Sequence, residues 1–144
     1  MIKKLLATRF SSNGTDAALL FIRIVVGLAF VMHGWGKIQH PFDWMPAGSP
    51  VPAFFQFLAA LSEFGGGLAL IAGLLTRLGC LGMAITMVVA SSMHMFVMKD
   101  PFVNLTGQGG SYELALVYLS IAVLFVVNGA GKFSIDAKLF GPRP

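Results

Sequence analysis

The stretch from Arg23 to Ile38, reading RIVVGLAFVMHGWGKI, constrains this chain more than any other. It is long and apolar enough to lie inside a membrane, yet it carries Arg23 and His33 and closes on His33-Gly34-Trp35-Gly36-Lys37. An ionisable side chain within a membrane segment is costly, so it faces a protein interior, a partner or a wet cavity. The other apolar segments supply candidate partners in Glu63, His94 and Glu113.

Composition agrees with a membrane setting. Of the 144 residues 56% are hydrophobic and only 11% charged, against about 25% charged in a soluble domain. Too few polar groups remain to cover a water-facing surface. The class is therefore an all-α integral membrane protein, an antiparallel four-helix bundle forming one domain over residues 1–144, since four spans use nearly the whole chain. The formal net charge is +4, but no basic patch interleaved with aromatic residues lies outside the apolar segments, so nucleic acid is not an expected partner. Membrane lipid is. The single cysteine, Cys80, rules out an intramolecular disulfide and a CxxC pair and reads as a small residue packed near a helix end.

At roughly 20 apolar residues per crossing, the spans fall at about 16–38, 53–75, 78–98 and 112–131. The basic start with Lys3, Lys4 and Arg9 imitates a secretory signal, but the apolar run is too long and contains Arg23, so it is expected as a retained first helix with Thr15 or Asp16 as N-cap. Prolines 41, 46, 50 and 52 break the chain after span one, and Pro101 with Gly107, Gly109 and Gly110 breaks it after span three. Only Thr76 and Arg77 are expected to separate spans two and three. Gly65, Ala69 and Gly73 form a small-residue stripe suited to close helix packing. The tail from 132 to 144 reads as short and polar. Lys3, Lys4, Arg9, Arg77, Lys132, Lys138 and Arg143 flank one side, with Lys37 and Lys99 on the other. This bias places both termini in the cytoplasm and the loops 39–52 and 99–111 outside. The motif FVxxGxGK occurs twice, at Phe30–Lys37 and Phe125–Lys132, as an inverted duplication would leave it or as two glycine-lysine helix ends would produce independently.

A rise of about 1.5 Å per residue converts position to depth. From the cytoplasmic ends, Arg23 lies roughly 10 Å in, Glu63 roughly 18 Å, and His94, His33 and Glu113 roughly 22 to 27 Å. Two constellations are expected. Arg23 and Glu63 form a buried ion pair in the inner half. His33, Lys37, His94 and Glu113 gather near the outer face, where a carboxylate near imidazoles can relay protons, orient a head group or bind a metal. No short-spacing metal motif is present, so no metal is expected. His40 is expected as a solvated loop residue. Trp35 and Trp44 are expected as interfacial anchors, with Trp35 alternatively walling a pocket beside His33.

The sequence resembles the DoxX family of small four-helix bacterial membrane proteins. Arg23 with Gly27, Phe30, Gly34 and Lys37 carries the resemblance, together with Glu63-Phe-Gly-Gly-Gly-Leu-Ala-Leu-Ile-Ala-Gly-Leu-Leu-Thr76-Arg77 and Gly131-Lys132-Phe-Ser-Ile-Asp136. It implies a location in the bacterial inner membrane and quinone-linked redox work beside a soluble or membrane partner. No flavin, haem or iron–sulfur motif is visible.

Three functions follow from different classes. In the first, the chain is a membrane subunit of a quinone-linked oxidoreductase or oxidative-stress redox system. A quinone head group sits against His33, His94 and Glu113, while Glu63, steadied by Arg23, completes a cavity that Trp35 and Lys37 help to line. The second is a non-enzymatic scaffold or assembly factor whose buried charges specify packing. The third is a carrier for protons or a small solute, which in so narrow a bundle would require a homo-oligomer.

Overall fold

In the computed structural model, which describes residues 6–142, Ser12 opens the first long helix. Its hydroxyl accepts the Thr15 backbone N–H at 3.2 Å, satisfying one of the donors a helix start leaves free. The cap therefore falls on Ser12 and not on Thr15 or Asp16. Asp16 is occupied elsewhere, accepting from the Ser11 and Lys132 backbone N–H groups at 3.0 and 3.1 Å. From this start α1 runs Asn13–Gln39.

After the proline-broken loop, α2 occupies Ala53–Ala72 and ends on Gly73, whose φ of 65° suits a residue without Cβ. Gly73, Leu74 and Leu75 make the turn; Thr76 and Arg77, expected as the linker, instead begin α3 at Thr76–Ser92. The Asp136 carboxylate makes this turn workable, accepting from Leu75 and Thr76 N–H at 2.7 and 2.9 Å as a cap supplied from 60 residues away. Helix α3 widens into a π turn at Met93–Val97, where the Met98 N–H reaches back to the Met93 carbonyl at 2.9 Å. Helix α4, Glu113–Asn128, is shorter than the expected 112–131 because Gly129 and Gly131 take φ of 79° and 78°. The tail is also more structured than its polarity suggests. Ser134 caps a short α5, Ile135–Phe140, which delivers Asp136 to the α2–α3 turn. Lys3, Lys4 and Arg143 lie outside the described residues.

Packing follows chain order, α1 along α2, α2 along α3 and α3 along α4. The closest approaches of α1 to α2 use glycines outside the expected stripe, whereas Gly73 of that stripe leaves room for the Arg23 guanidinium. A Cβ on Gly34 would lie 2.5 Å from the Phe64 nitrogen, and one on Gly67 2.8 Å from the Gly27 carbonyl. Gly66, not Gly65, meets Met83 of α3. The core gathers Leu19, Val26 and Phe30 of α1, Leu70 of α2, Met83 and Met87 of α3 and Phe125 of α4. Cys80 is fully buried among them. Both phenylalanines of the repeated motif thus end in one core.

The surface inverts the soluble pattern. Phe21, Met32, Leu78, Ile85 and Val117 stand exposed while Asp16, Arg23, Glu63 and Asp136 are buried. Asn13–Gln39, Ala53–Ala72 and Thr76–Val97 are each long and apolar enough to cross a membrane, and Glu113–Asn128 is a shorter apolar helix.

Candidate functional site

The charges inside the bundle form three separate groups, not the two expected. Arg23 is 1% exposed, and its guanidinium is used entirely on backbone carbonyls. Nε donates to Leu70 at 2.9 Å and Nη2 to Ile71 at 3.0 Å. Nη1 donates to Ala130 at 3.0 Å and Phe133 at 2.9 Å. Leu70 and Ile71 lie in the last turn of α2, where carbonyls lack their full set of helical partners and the helix dipole favours a cation; the Leu70 carbonyl also accepts the Gly73 N–H at 3.2 Å. Arg23 therefore clasps the end of α2 to the segment after α4. The expected Arg23–Glu63 pair is not formed.

This end of the bundle continues the same theme. Asp136 caps α3, Asp16 receives the Lys132 N–H, and Thr8 Oγ1 accepts the Gly131 N–H at 2.7 Å. Arg77 donates from Nε to the Ala7 carbonyl and from Nη1 to that of Val126, at 3.2 and 2.8 Å. Charged side chains here are tied mainly to main chain, an arrangement that fixes geometry.

Glu63 belongs to the opposite end. Lys37 Nζ donates to its two carboxylate oxygens at 2.6 and 2.7 Å, and the Glu63 side chain is 4% exposed against 26% for Lys37. Gly34 makes the pairing possible, since its missing side chain lets α1 lie directly on the backbone at Phe64. Trp44 covers the pair, with Lys37 Nζ 4.5 Å from its ring centroid, a distance at which a cation is drawn to an aromatic face. Gln56 holds Trp44 there. Its carbonyl accepts the indole N–H at 2.9 Å, and its side chain bridges Met45 N–H and the Val51 carbonyl. Phe42 stacks on Phe57, centroids 5.3 Å apart, and Trp35 tilts against Phe64 at 5.7 Å. A buried carboxylate, a lysine proton and an indole face thus meet beneath one loop. This set can donate a hydrogen bond, hold a proton and face a flat apolar ring.

The remaining site candidates lie apart from it. His94 leaves the π turn to hydrogen-bond Asp100 through Nδ1 at 2.7 Å. Asp100 also borders a loop cavity of about 360 Å³ with Asn104, Thr106 and Gln108. Gly110 packs against this dyad, where a Cβ would be 3.2 Å from His94 Nδ1. His33 is exposed and meets the Tyr118 ring edge-on, centroids 6.3 Å apart. Glu113 is exposed at the start of α4, its N–H donating to the Phe102 carbonyl at 3.1 Å. His40 is exposed at the end of α1. The outer four of His33, Lys37, His94 and Glu113 therefore do not converge. Among the described residues no three His, Cys, Asp or Glu side chains come close enough to hold a metal ion.

Trp44, Gln56, Asp100, Tyr118 and Asp136 were absent from the sequence-based site. Asp136 did carry a signal, as the last residue of the Gly131–Asp136 motif. Gln56 and Trp44 carried none beyond proximity to the proline loop.

Apolar spans with an exposed apolar surface and buried charges define a multi-pass helical membrane protein. The chain belongs to the DoxX family, whose family model matches residues 18–98. It is similar to the inner membrane protein YqjF of Escherichia coli, 35% identical over 137 residues and covering 86% of this chain and 93% of that one. An uncharacterized protein of Haemophilus influenzae is 32% identical over 85% of this chain and 90% of its own length. The uncharacterized membrane protein Rv3486 of Mycobacterium tuberculosis is 30% identical, over 85% and 81% respectively. No solved structure gives a significant match. The protein is a multi-pass protein of the bacterial inner membrane.

Proposed function

We propose that this protein is the membrane subunit of a quinone-linked redox system and that Lys37, Glu63 and Trp44 form its head-group site. The observation that carries this reading is the Lys37–Glu63 pair itself. Its carboxylate is nearly sealed, both oxygens are bound by one ammonium, and an indole lies over that ammonium. Lys37 would give a proton to the reduced head-group oxygen, Glu63 would hold the charge of the pair and pass a proton back to the lysine, and Trp44 would keep water out and face the ring. Electrons would come from a partner redox protein. This moves the expected chemistry from His33, His94 and Glu113 to a pair that sequence reasoning had divided between two clusters.

The orientation belongs to the same proposal. Arg23 meets Leu70 and Ile71, Gly27 meets Gly67, Gly34 meets Phe64, and Lys37 meets Glu63. Residue numbers rise on α1 as they fall on α2, which supports antiparallel neighbours. Side chains lean toward their own helix N-terminus, so in such neighbours Lys37 and Glu63 lean toward each other. The basic residues near the Arg23 end support cytoplasmic termini, with the Lys37 site toward the exterior.

Binding of decylubiquinone to the purified protein, followed by tryptophan fluorescence, tests the proposal. Saturable quenching should disappear in Trp44→Phe and weaken about tenfold or more in Glu63→Gln. Equal binding by wild type and both variants, or none by any, would overturn it. A scaffold without chemistry is the second reading, favoured by the main-chain clasp around Arg23. Under it, Lys37 and Glu63 variants lose function only in step with lost abundance.

A further inference from the structure

The spans pack in a row, and α1 and α4 meet through rings. Tyr118 of α4 lies 5.0 Å from Phe30 and 6.3 Å from His33, centroid to centroid. Phe30 is buried and belongs to the core, whereas His33 is exposed and Tyr118 half-buried. Neither the His33 imidazole nor the Tyr118 hydroxyl makes a hydrogen bond among the described residues.

Depth makes this notable. At about 1.5 Å per residue, His33 lies roughly 9 Å before the end of α1, and Tyr118 roughly 8 Å after the start of α4. Helix α1, 27 residues long, spans about 40 Å against a hydrocarbon core of about 30 Å, so a centred helix places His33 a few Å inside the apolar layer. Polar groups at such depth are costly without partners. Elsewhere at similar depth the chain supplies them: Ser120 donates to the Val117 carbonyl at 2.7 Å and Ser92 to that of Val88 at 2.7 Å. His33 and Tyr118 face the bilayer side with one N–H and one O–H to give.

The geometry points to the α1–α4 seam as the lateral entry and docking position of the quinone, with His33 and Tyr118 donating to a head-group carbonyl. The inference rests on the reading above and names the route to its site. His33 is one helical turn from Lys37 on the same helix, about 6 Å along the axis. A flat head group with acceptor oxygens and an apolar tail suits two donors set in an aliphatic surface. From the seam it reaches the Lys37–Glu63 pair without leaving the outer half of the bundle. His33 and Tyr118 are binding residues in this scheme, and the proton stays with the ion pair.

An azido-substituted short-chain benzoquinone, photolysed with the protein in phosphatidylethanolamine–phosphatidylglycerol nanodiscs and mapped by mass spectrometry, tests it. Label is expected on α1 around His33 and on α4 around Tyr118. It should be competed by unlabelled decylubiquinone, and the concentration for half-maximal labelling should rise about three- to tenfold in His33→Leu and in Tyr118→Phe, as loss of one hydrogen bond requires. His33 is exposed, so thermal stability serves as the control that these variants fold. Label confined to the 40–52 loop and α2, unchanged in both variants, overturns the seam and leaves the ion-pair site standing. Seam label displaced by added phosphatidylglycerol identifies a phospholipid position and also overturns it. Absence of any competable label removes the quinone reading and this inference together.

Discussion

Replacing Arg23 by alanine should produce the largest stability loss of any single polar substitution in the chain. Four hydrogen bonds of 2.9 to 3.0 Å end on carbonyls of two segments. Two of those carbonyls close α2, and the other two hold the strand of chain that leads into α5. Truncation takes a donor from each of them in a region where Arg23 itself was 1% exposed. Each hydrogen bond to a charged group contributes about 1.5–3 kcal/mol, but returning the guanidinium to solvent recovers part of the sum. A buried carbonyl that loses its partner costs about 1–3 kcal/mol, so a net loss of about 3–5 kcal/mol is expected. At about 2–4 °C per kcal/mol for a chain of this size, the midpoint should fall by roughly 10 °C or more. Cys80, the single cysteine and fully buried, provides the assay, because a thiol-reactive fluorophore in detergent lights up only on unfolding. Arg23→Lys should recover little, since one ammonium cannot match a planar fork serving four carbonyls in two segments. A midpoint for Arg23→Ala within about 2 °C of wild type would refute the clasp.

A double-mutant cycle should give Lys37→Met and Glu63→Gln a coupling above about 1 kcal/mol, while Arg23→Ala and Glu63→Gln add independently, as sites without shared partners do; coupling of Glu63 to Arg23 would contradict the structure. Gly34→Ala should cost about 1–3 kcal/mol by driving Phe64 away, whereas Gly36→Ala, with open space around it, should stabilise by about 0.5–1 kcal/mol; thermal melts decide both. Asp136→Ala should cost about 2 kcal/mol, as loss of an N-cap does, and increase amide exchange at Leu75 and Thr76.

Hydropathy located the three longer apolar helices, because a crossing must present roughly 20 apolar residues whatever its neighbours do, while α4 is a shorter apolar helix of 16 residues. Arg23 was legible as buried, and its partners were not. They are main-chain carbonyls, which every residue possesses and no side-chain identity announces. The error over Glu63 has a definite cause. Depth was counted at Cα, where Lys37 seemed to lie beyond Glu63, but a lysine stem adds about 6 Å and helical side chains lean along the axis. Grouping His33 with Lys37 failed for a related reason. Residues four apart differ by about 40° around a helix, enough to send one to α2 and the other toward α4. Gln56 and Trp44 were hidden because an irregular loop has no period from which to read contacts. The α4 boundary was missed at Gly129 and Gly131, where an apolar pattern continued past two left-handed residues.

The two cations of α1 divide the protein's duties by chemistry as well as by place. Arg23 satisfies four carbonyls in two segments, which demands several fixed donors and no change of charge. Lys37 meets one carboxylate and one ring, where a compact ammonium suffices and a transferable proton is useful. Lys37→Arg separates stability from chemistry on this logic. A guanidinium can bind Glu63 in two-point fashion and lie over Trp44, so the melting midpoint should stay within about 3 °C of wild type, roughly 1 kcal/mol for a chain of this size. It cannot be deprotonated in a protein, so quinone-coupled proton exchange in reconstituted vesicles should fall by at least tenfold. If Lys37→Arg keeps both stability and exchange, the lysine is only a counter-ion, and the pair belongs with Arg23 among the fastenings of the bundle.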